Sequence, residues 1–537
     1  MKLKLSLLLI LLLAFSLRIF KIDQFPATLY GDEQAFAWNA YNILKTGQDE
    51  YGNAYPLHFR SFNDYKAPIP VYLMVPFIEI FGFNTFGIRF LISFASTITV
   101  LFTYLLFNQF VSKKISLLGA FLLTISPWHI HLSRGFFEST LSLMFFVGGI
   151  WIFTKRPYSL VKTITSSLFF SAALYSYFTP RIYLPIFYLL FFIYHYFFYK
   201  DIRKKILKQF VIGAIVIFIL SLPLIKLSFF DKGTSRIYNL ISANQQKIEQ
   251  EIIRERYASN LPNTAKVAMH NKATAWLRFF QNNYLEILSA NYWYINGDTS
   301  LRYFLGNMGM FYLAEMPFFI FGLYFLAKEK KLSLIFFIIW LLVMAIPPAI
   351  AGKAYGVRSL SILPAPFIIT AYGLNRISFL LSHKKNLYYL GITFVFVVSL
   401  GTVLIRYYFE YPQYAATWWG WENKAALDYA QERKNLYDNI FISDFYSGGT
   451  LAYAVYNKMD PRQYRYAISN PVTLFKDKKF FKFSKYYFGS LDIDSEEKLS
   501  TIPPKSLYIA RPEEIDSDIN IYAPDDGRII YKVYSAN

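Results

Sequence analysis

The sequence predicts a polytopic α-helical membrane protein with a small extracytoplasmic α/β domain at its C-terminal end. Hydrophobic residues make up 55% of the 537 positions and charged residues only 17%, whereas about 25% of the residues of a soluble protein are charged. Apolar runs recur that reach the roughly 20 residues a helix needs to cross about 30 Å of hydrocarbon. After residue 405 these runs stop, and short helical and strand patterns alternate instead.

The apolar runs predict about eleven transmembrane helices. The first ends near Phe20, follows Lys2 and Lys4, and is not followed by a small-residue cleavage site, so we expect an uncleaved span. Residues 68–82 are apolar but short, which favours a helix lying at the membrane interface. The other ten spans are predicted at residues 86–109, 115–130, 136–154, 161–178, 181–198, 206–227, 307–327, 332–351, 357–381 and 387–405.

The distribution of lysine and arginine predicts how these helices are oriented. If residues 68–82 do not cross the bilayer, all the basic clusters between spans fall on the same side as the N-terminus. Because cytoplasmic loops carry the excess of positive charge, we expect a cytoplasmic N-terminus and an extracytoplasmic C-terminal domain in the plasma (inner) membrane. The clusters lie at residues 113–114, 155–156, 200–205, 328–331 and 384–385.

Two domains are therefore expected. Residues 1–405 form a transmembrane domain that includes the outer loops 21–85 and 228–306, and residues 406–537 form the α/β domain. Within the latter, periodicity and turn signals predict helices and strands in alternation. The helices are predicted at residues 422–433 and 450–457 and the strands at 439–443, 506–510 and 528–533.

Composition also excludes some functions. The net charge of +20 would point to nucleic acid in a soluble protein, but here the cations cluster between apolar runs, so no nucleic-acid partner is expected. The chain has no cysteine, which excludes a disulfide framework, a thiol nucleophile and a thiolate metal site.

Asp32 and Glu33 are the leading candidates for catalysis because they place two adjacent carboxylates shortly after the first span. A carboxylate close to a hydroxyl can act as a general base. The two acids could instead cap a helix predicted from Ala35 to Leu44, since acids in a first turn suit the helix dipole. A cap explains one acid better than two, and both interpretations stay open at this point.

Several lone cations occur on the predicted outer side, where positive charge is not needed for orientation. Ionisable groups near membrane spans need a partner, and phosphate is bound preferentially by arginine and lysine. We expect at least two of these cations to converge on a phosphate, although each alone could extend to the membrane interface. The set comprises Lys66, Arg89, Arg134, Arg181, Lys353 and Arg358.

Two other groups of residues favour structural roles. His129 and His131 are two residues apart, but no third ligand at suitable spacing is evident, so interfacial hydrogen bonding is favoured over a zinc site. Trp418, Trp419 and Trp421 are expected to anchor the junction of the last span and the tail at the interface.

Taken together, the motifs resemble a known family. A first span is followed by the acid pair, a long aromatic segment, a Lys66-Ala67-Pro68 step, and then FGFNTFGIRFLISFASTITVLFTYLLF and SPWHIHLSRGFFESTL. This order resembles bacterial membrane glycosyltransferases of the protein O-mannosyltransferase and aminoarabinose–lipid A transferase type, within the C-type superfamily. The likeness covers residues 1–160 best and extends more weakly to HNKATAWLRFF and GVRSLSILPAP.

The resemblance implies the C-type architecture, a polyprenyl-phosphate sugar donor, and an acceptor hydroxyl of a protein, glycan or lipid on the extracytoplasmic face. Carried onto this chain, Asp32 is the catalytic base with Glu33 beside it, Lys66 lies near the lipid phosphate, and Arg89 pairs with the acid motif. The familiar Lys-Pro step has an alanine inserted here, at Ala67. The remaining candidates are Arg89, Arg134 and Arg358 for the donor phosphate and Glu138, His270 and Arg302 for substrate.

The expected reaction is an inverting transfer of a hexosyl or pentosyl group. No cofactor is required, because fixed cations can stabilise the phosphate leaving group, and a divalent metal at the acid pair stays an open alternative. A transporter or flippase for a lipid-linked sugar and an envelope assembly protein are the competing functions.

Overall fold

The computed structural model describes residues 2–62, 64–229, 235–444, 448–475, 478–491, 499 and 502–536. The chain divides into two compact units, each built from separate stretches of sequence. Unit 1 contains Met1–Phe20 and Ile92–Val403, and unit 2 contains Lys21–Leu91 and Leu404–Asn537. The first outer segment therefore groups with the tail, while the functional division at residue 405 stays a prediction.

Unit 1 is helical in its described part. Two of the helices extend across the division in sequence: α4 begins in unit 2 and continues into unit 1, and α19 begins in unit 1 and its last two residues belong to unit 2. The helices are α1 (Lys2–Ile19), α4 (Thr85–Phe107), α5 (Lys113–Ile125), α6 (Pro127–Leu132), α7 (Glu138–Thr154), α8 (Leu160–Ser176), α9 (Pro180–Phe198), α10 (Arg203–Phe229), α11 (Ser235–Ala258), α12 (Asn263–Met269), α13 (Lys272–Ile287), α14 (Met316–Glu329), α15 (Lys331–Met344), α16 (Ile346–Ile350), α17 (Gly356–Ser359), α18 (Ala365–Leu380) and α19 (Lys385–Ile405).

Aromatic rings and close helix contacts hold unit 1 together. Phe146 of α7, Phe187 of α9 and Trp340 of α15 are buried, with ring centroids 5.1–5.7 Å apart. Helices α14 and α18 approach so closely that a Cβ atom at Gly322 would lie 1.9 Å from the Ile369 carbonyl oxygen. Small residues at helix contacts are typical of membrane proteins, where dispersion rather than water exclusion drives helix packing.

Within the described residues, five helices are long and apolar enough to cross a membrane, and the number becomes six if two bent segments, Gly356–Ile362 and Ala365–Leu380, form one span. The expected total of eleven stays a prediction, because several predicted spans correspond to helices too short to cross a bilayer on their own. The interfacial location of Pro68–Phe81 also stays a prediction. The five are Thr85–Phe107, Pro180–Phe198, Arg203–Leu227, Lys331–Ile350 and Ser382–Tyr414.

Unit 2 joins the first outer segment to the C-terminal tail. The first segment contains α2 (Gly31–Thr46), a hairpin of β1 (Phe59–Ser61) and β2 (Asp64–Lys66), and α3 (Pro68–Phe81). The tail elements are α20 (Tyr411–Tyr414), α21 (Trp421–Arg433), β3 (Asn439–Ile442), α22 (Gly449–Tyr456), α23 (Pro461–Ser469), β4 (Val472–Leu474), β5 (Lys478–Phe483), β6 (Tyr486–Phe488), β7 (Ser506–Ala510), β8 (Asn520–Tyr522) and β9 (Ile529–Ala536).

The described tail strands form one mixed sheet in the order β4-β5-β6-β3-β7-β9-β8. Strand β3 runs parallel to both of its neighbours, and the other pairs are antiparallel. One face is covered by a buried cluster that includes Phe441, Phe480 and Tyr508. The helix and strand patterns read from the sequence coincide with α21, α22, β3, β7 and β9 to within a few residues.

Candidate functional site

Helix α2 begins at the acid pair. Tyr30 has extended backbone angles (φ −75°, ψ 166°), and its N–H donates to Glu33 Oε2 at 3.3 Å, which is the return half of a capping box. The helix ends at Gly47, whose φ of 69° is a left-handed conformation that glycine adopts without strain. The capping interpretation therefore applies to Glu33. Asp32, one residue earlier in the same turn, takes no part in this capping box.

Asp32 forms an ion pair with Lys66. The β1–β2 hairpin pairs Phe59 with Lys66 and ends two residues before Pro68, which starts α3. Lys66 Nζ donates to Asp32 Oδ1 at 2.5 Å and to Asp64 Oδ2 at 3.2 Å. The Lys66 side chain is only 6% exposed, whereas the Asp32 side chain is 40% exposed. A buried ammonium thus holds a carboxylate that solvent can reach.

Glu33 forms a second ion pair, and this one is inaccessible. Arg89 Nε donates to Glu33 Oε1 at 2.9 Å and Nη2 donates to Oε2 at 3.0 Å, with both side chains fully buried. The other guanidinium N–H groups donate to the carbonyl oxygens of Ile22, Pro26 and Thr28 at 2.6–3.0 Å. All five N–H groups of Arg89 are thus engaged in fixing the chain that leads into α2.

The tryptophans of the tail differ from the expectation. Trp418 is 40% exposed, but Trp419 is buried and its Nε1–H donates to the Tyr411 hydroxyl at 2.6 Å. The centroids of the Trp419 and Tyr30 rings are 5.4 Å apart, and the two rings are nearly perpendicular. The prediction of an interfacial anchor is therefore wrong for Trp419, because its indole is buried inside unit 2.

Sequence reasoning missed a second pair of adjacent acids, Asp49 and Glu50. Glu50 N–H donates to Asn39 Oδ1 at 3.0 Å, and Asn39 Nδ2 donates to Glu50 Oε2 at 3.4 Å. Burial raises the pKa of Glu50 to about 7, while hydrogen bonds from Ser61 and Asn39 and the Arg60 charge oppose the rise and Asp49 adds to it. The same signal that drew attention to residues 32 and 33, two neighbouring carboxylates, is present here.

Unit 1 contains the other predicted site residues. Arg134 is buried, and its Nη1 and Nη2 groups donate to the carbonyl oxygens of Leu17 and Phe20 at 3.0 and 2.7 Å. These carbonyls lie at the C-terminal end of α1, where a cation satisfies otherwise unpaired acceptors. Glu138 occupies the first turn of α7 and is partly buried.

Arg358 lies in α17, a single helical turn whose first residue is hydrogen-bonded by Asp298. The sequence did not single out Asp298. Asp298 Oδ2 accepts the N–H of Gly356, and Oδ1 accepts the N–H of Ser300 at 2.8 Å. Burial raises the pKa of Asp298 to about 6, while these N–H groups and the nearby Arg358 and Lys353 charges oppose the rise. The Arg358 guanidinium lies 5.0 Å from the ring of Tyr355.

The histidines are hydrogen-bonded within unit 1. His129 Nδ1 lies 2.7 Å from Arg18 Nη2, and His131 Nε2 lies 3.0 Å from the carbonyl oxygen of Arg302. His270 pairs with Glu255 of α11 at 3.0 Å. Among the residues that the structure describes, no group of three or more His, Asp or Glu side chains has metal-binding geometry, and the metal requirement stays a prediction.

An apolar groove of about 680 Å³ runs between α8, α9 and α10. Its walls are almost entirely hydrocarbon, and Arg181 is the one charged residue among those lining it. Arg181 Nε donates to the Leu174 carbonyl oxygen at 3.4 Å, and its guanidinium lies 5.3 Å from the Phe178 ring. The groove has the chemistry of a site for a lipid chain.

Comparison with known proteins supports the expected family. Residues 65–225 match the family described as dolichyl-phosphate-mannose-protein mannosyltransferase. ArnT from Cupriavidus metallidurans in the apo state has a TM-score of 0.50 at 11% identity, and the similarity covers 98% of this chain and 97% of ArnT. The chain has the fold of ArnT. The resemblance predicted from the sequence is thereby confirmed, and the fold and the long apolar helices support a membrane location.

Two further structures complete the comparison. ArnT bound to undecaprenyl phosphate has a TM-score of 0.51 at 10% identity, with the same shares of both chains covered. The Archaeoglobus fulgidus oligosaccharyltransferase tethered with an acceptor peptide has a TM-score of 0.48 at 14% identity. The similarity to it covers 86% of this chain but 63% of that protein, so the chain spans less than two thirds of its length. No curated protein matches the sequence.

Proposed function

We propose that this protein transfers a sugar from a polyprenyl-phosphate donor to an acceptor hydroxyl on the extracytoplasmic face, with inversion at the anomeric carbon. The contact between the accessible Asp32 carboxylate and the buried Lys66 ammonium is the observation that carries the proposal. The family match includes Lys66, and ArnT, which shares the fold, binds undecaprenyl phosphate.

Asp32 is the general base in this proposal. A hydroxyl is a weak nucleophile, and a carboxylate within about 3 Å of it accelerates attack by taking its proton. The acceptor oxygen forms a bond to the anomeric carbon as the bond from that carbon to the phosphate oxygen breaks. The lipid phosphate leaves with the bonding electrons, and Asp32 keeps the proton. Attack opposite the leaving group inverts the anomeric centre.

Lys66 stabilises the leaving phosphate. A lipid monophosphate gains negative charge as the glycosidic bond breaks, and a fixed ammonium favours that state without reorganising. Lys66 has the required properties because it is held between Asp32 and Asp64 under low exposure. In a water-poor environment such an ion pair has a larger effect than at an exposed surface.

For three of the site residues predicted from the sequence, we propose structural roles instead of catalytic or phosphate-binding ones. Glu33 and Arg89 are assigned to holding the chain before α2, since their charged groups are buried and engaged with each other. Arg134 is assigned to capping α1. Arg358 stays the proposed donor-phosphate residue of unit 1, and the proposed substrate contacts are Glu138, His270 and Arg302.

The apolar groove of unit 1 is the proposed site for a lipid chain. Its lining by α8, α9 and α10 offers a hydrocarbon surface to an isoprenoid, and burial of each CH₂ group contributes about 0.8 kcal/mol. Arg181 supplies a positive charge within that lining.

The test is a transfer assay with the purified full chain in liposomes. The probes are undecaprenyl-phosphate hexoses and pentoses labelled in the sugar, with membranes from source cells lacking this protein as acceptor. The expected result is covalent label in the acceptor fraction, release of undecaprenyl phosphate, and an anomeric configuration opposite to that of the donor. Movement of intact donor across the bilayer without covalent transfer would instead identify a flippase and overturn the proposal.

A further inference from the structure

The C-terminal tail supports the segment that carries the acid pair. Thr28, Leu29 and Tyr30 immediately precede α2, and each contacts a tail residue more than 380 positions away in sequence within the same compact unit. Two tail residues make these contacts, Trp419 and Tyr456. None of these three contacts was expected from the sequence, because nothing in the local pattern links residues so far apart.

Trp419 provides both a backbone and a ring contact. The Thr28 hydroxyl donates to the Trp419 carbonyl oxygen at 2.6 Å. The indole packs edge-on against the Tyr30 ring at 5.4 Å and lies 5.7 Å from the Arg89 guanidinium, close enough for a cation–π interaction. Trp419 is itself held by its bond to Tyr411.

Tyr456 satisfies a buried backbone group. The Leu29 N–H donates to the Tyr456 hydroxyl at 3.1 Å, and Leu29 is almost fully buried. A buried amide that loses its acceptor is strongly destabilised relative to a hydrated one. The conformation of the chain at Leu29 is therefore tied to the position of α22, the helix on which Tyr456 lies.

The tail also contacts the rest of α2 and the turn after it. Trp38 packs edge-on against Tyr464 of α23 with centroids 5.0 Å apart, and Arg465 Nη1 donates to the Asp49 carbonyl oxygen at 3.0 Å. Helix α2 is thus supported by the tail at its start, along its length and just beyond its end. Of these contacts, those at residues 28–30 are nearest to Asp32 in the chain.

We propose that Trp419 and Tyr456 are positioning residues, through which the C-terminal domain holds residues 28–30 and so orients the Asp32 carboxylate for catalysis. The catalytic part of this statement rests on the proposed function. The tail is then part of the catalytic scaffold and is required for turnover, whatever acceptor the enzyme uses. A misplacement of about 1 Å at a catalytic group can lower a rate by roughly a hundredfold.

Two substitutions test the proposal by removing a single hydrogen bond each. Tyr456→Phe leaves the Leu29 amide without the hydroxyl, and Thr28→Val removes the donor to the Trp419 carbonyl. We expect each to lower kcat about tenfold or more while KM for the labelled donor changes less than about threefold, because orientation rather than donor binding is affected. Thr28→Ser keeps the hydroxyl, and we expect its kcat to stay close to that of the wild type.

The matched control is Tyr437→Phe, which removes a tail hydroxyl bonded to Ser535 at 3.1 Å, away from residues 28–30 in sequence and in contacts. Its kcat should equal that of the wild type. Hydrogen exchange followed by mass spectrometry provides a readout that does not need activity. Peptides covering residues 28–34 should exchange faster in Tyr456→Phe and Thr28→Val, but not in Tyr437→Phe or Thr28→Ser.

The outcomes separate this inference from the proposed function. A wild-type protein that transfers no sugar contradicts the proposed function, and the exchange measurement still decides whether the tail holds residues 28–30. A transferring wild type whose Tyr456→Phe and Thr28→Val variants keep normal kcat overturns the positioning role. Unchanged exchange at residues 28–34 in both variants overturns it as well.

Discussion

Arg89 and Glu33 form a two-point ion pair, with nitrogen–oxygen distances of 2.9 and 3.0 Å, in which neither side chain is exposed. The neighbouring Asp32 has the opposite environment, because its carboxylate is accessible and is bound by a lysine from the β1–β2 hairpin. Two acids adjacent in sequence therefore have different environments. Glu33 is buried against Arg89, and Asp32 is accessible to solvent.

Asp32→Asn should abolish transfer. Asparagine has the shape of aspartate but cannot take the proton from the hydroxyl that receives the sugar. Loss of a general base lowers the rate by about 10²–10⁴-fold. The measurement is kcat in the liposome assay, on protein whose membrane content and melting temperature equal those of the wild type. Asp64→Asn is the matched control, since Asp64 also contacts Lys66, at 3.2 Å. Near-normal transfer by Asp32→Asn, or a loss confined to Asp64→Asn, would contradict the assignment.

Lys66→Met should weaken use of the donor. Methionine keeps most of the buried aliphatic stem and removes the charge, so packing changes little. A hydrogen bond to a charged group contributes about 1.5–3 kcal/mol, which corresponds to roughly a 10- to 100-fold decrease in kcat/KM for the donor. Donor kinetics unchanged in Lys66→Met would remove the phosphate contact from the mechanism.

Breaking the Glu33–Arg89 pair should destabilise the fold more than it alters donor binding. Glu33→Gln or Arg89→Met leaves a buried charge without its partner, which costs about 3–5 kcal/mol. The double variant should lose less stability than the sum of the two single variants, because the charges depend on each other. Denaturant unfolding of the detergent-solubilised protein measures the stability of the two single variants and of the double variant. Additive losses would show that the pair is not energetically coupled.

Glu50 should make the stability of the protein depend on pH. Its pKa is about 7 in the folded chain and near 4.5 in an unfolded one, so the folded state binds the proton more tightly. The stabilisation from this group is complete below pH 4.5 and is lost as pH rises through about 7. We expect the melting temperature to fall between pH 5 and pH 8, and the fall to be smaller in Glu50→Gln. Glu432→Gln, at a well-exposed position, is the control and should leave the pH dependence unchanged.

Asp298→Ala should disturb the turn that carries Arg358. The substitution removes the acceptor for two backbone N–H groups, those of Ser300 and Gly356. If Arg358 acts on the donor from this turn, Asp298→Ala and Arg358→Met should each raise KM for the donor, and the double variant should be no worse than Arg358→Met alone. Independent, multiplicative effects would separate Asp298 from the role of Arg358.

The site could be predicted in part because some of its signals are local. The acid pair follows a first apolar helix, and Lys66 stands two residues before Pro68, the proline that starts the next helix. The helices themselves follow from long apolar runs, and the tail strands from short alternating patterns. Residues whose role depends on distant partners were misjudged or missed. Trp419 has the composition signal of an interfacial anchor yet is buried, and Asp298 has no neighbouring motif to mark it.

By itself, the sequence determined that this is a helical membrane protein with an acid pair, a lysine and a tail of alternating helix and strand patterns, because hydrophobicity, charge and spacing act over short stretches of chain. Only the tertiary structure decided which acid is accessible and which is neutralised by Arg89, since burial is set by the elements packed around a group and not by its neighbours in sequence. Only the tertiary structure also shows that Thr28, Leu29 and Tyr30 are held by contacts with Trp419 and Tyr456. Hydrogen bonds and ring contacts over such separations exist only once the chain has folded.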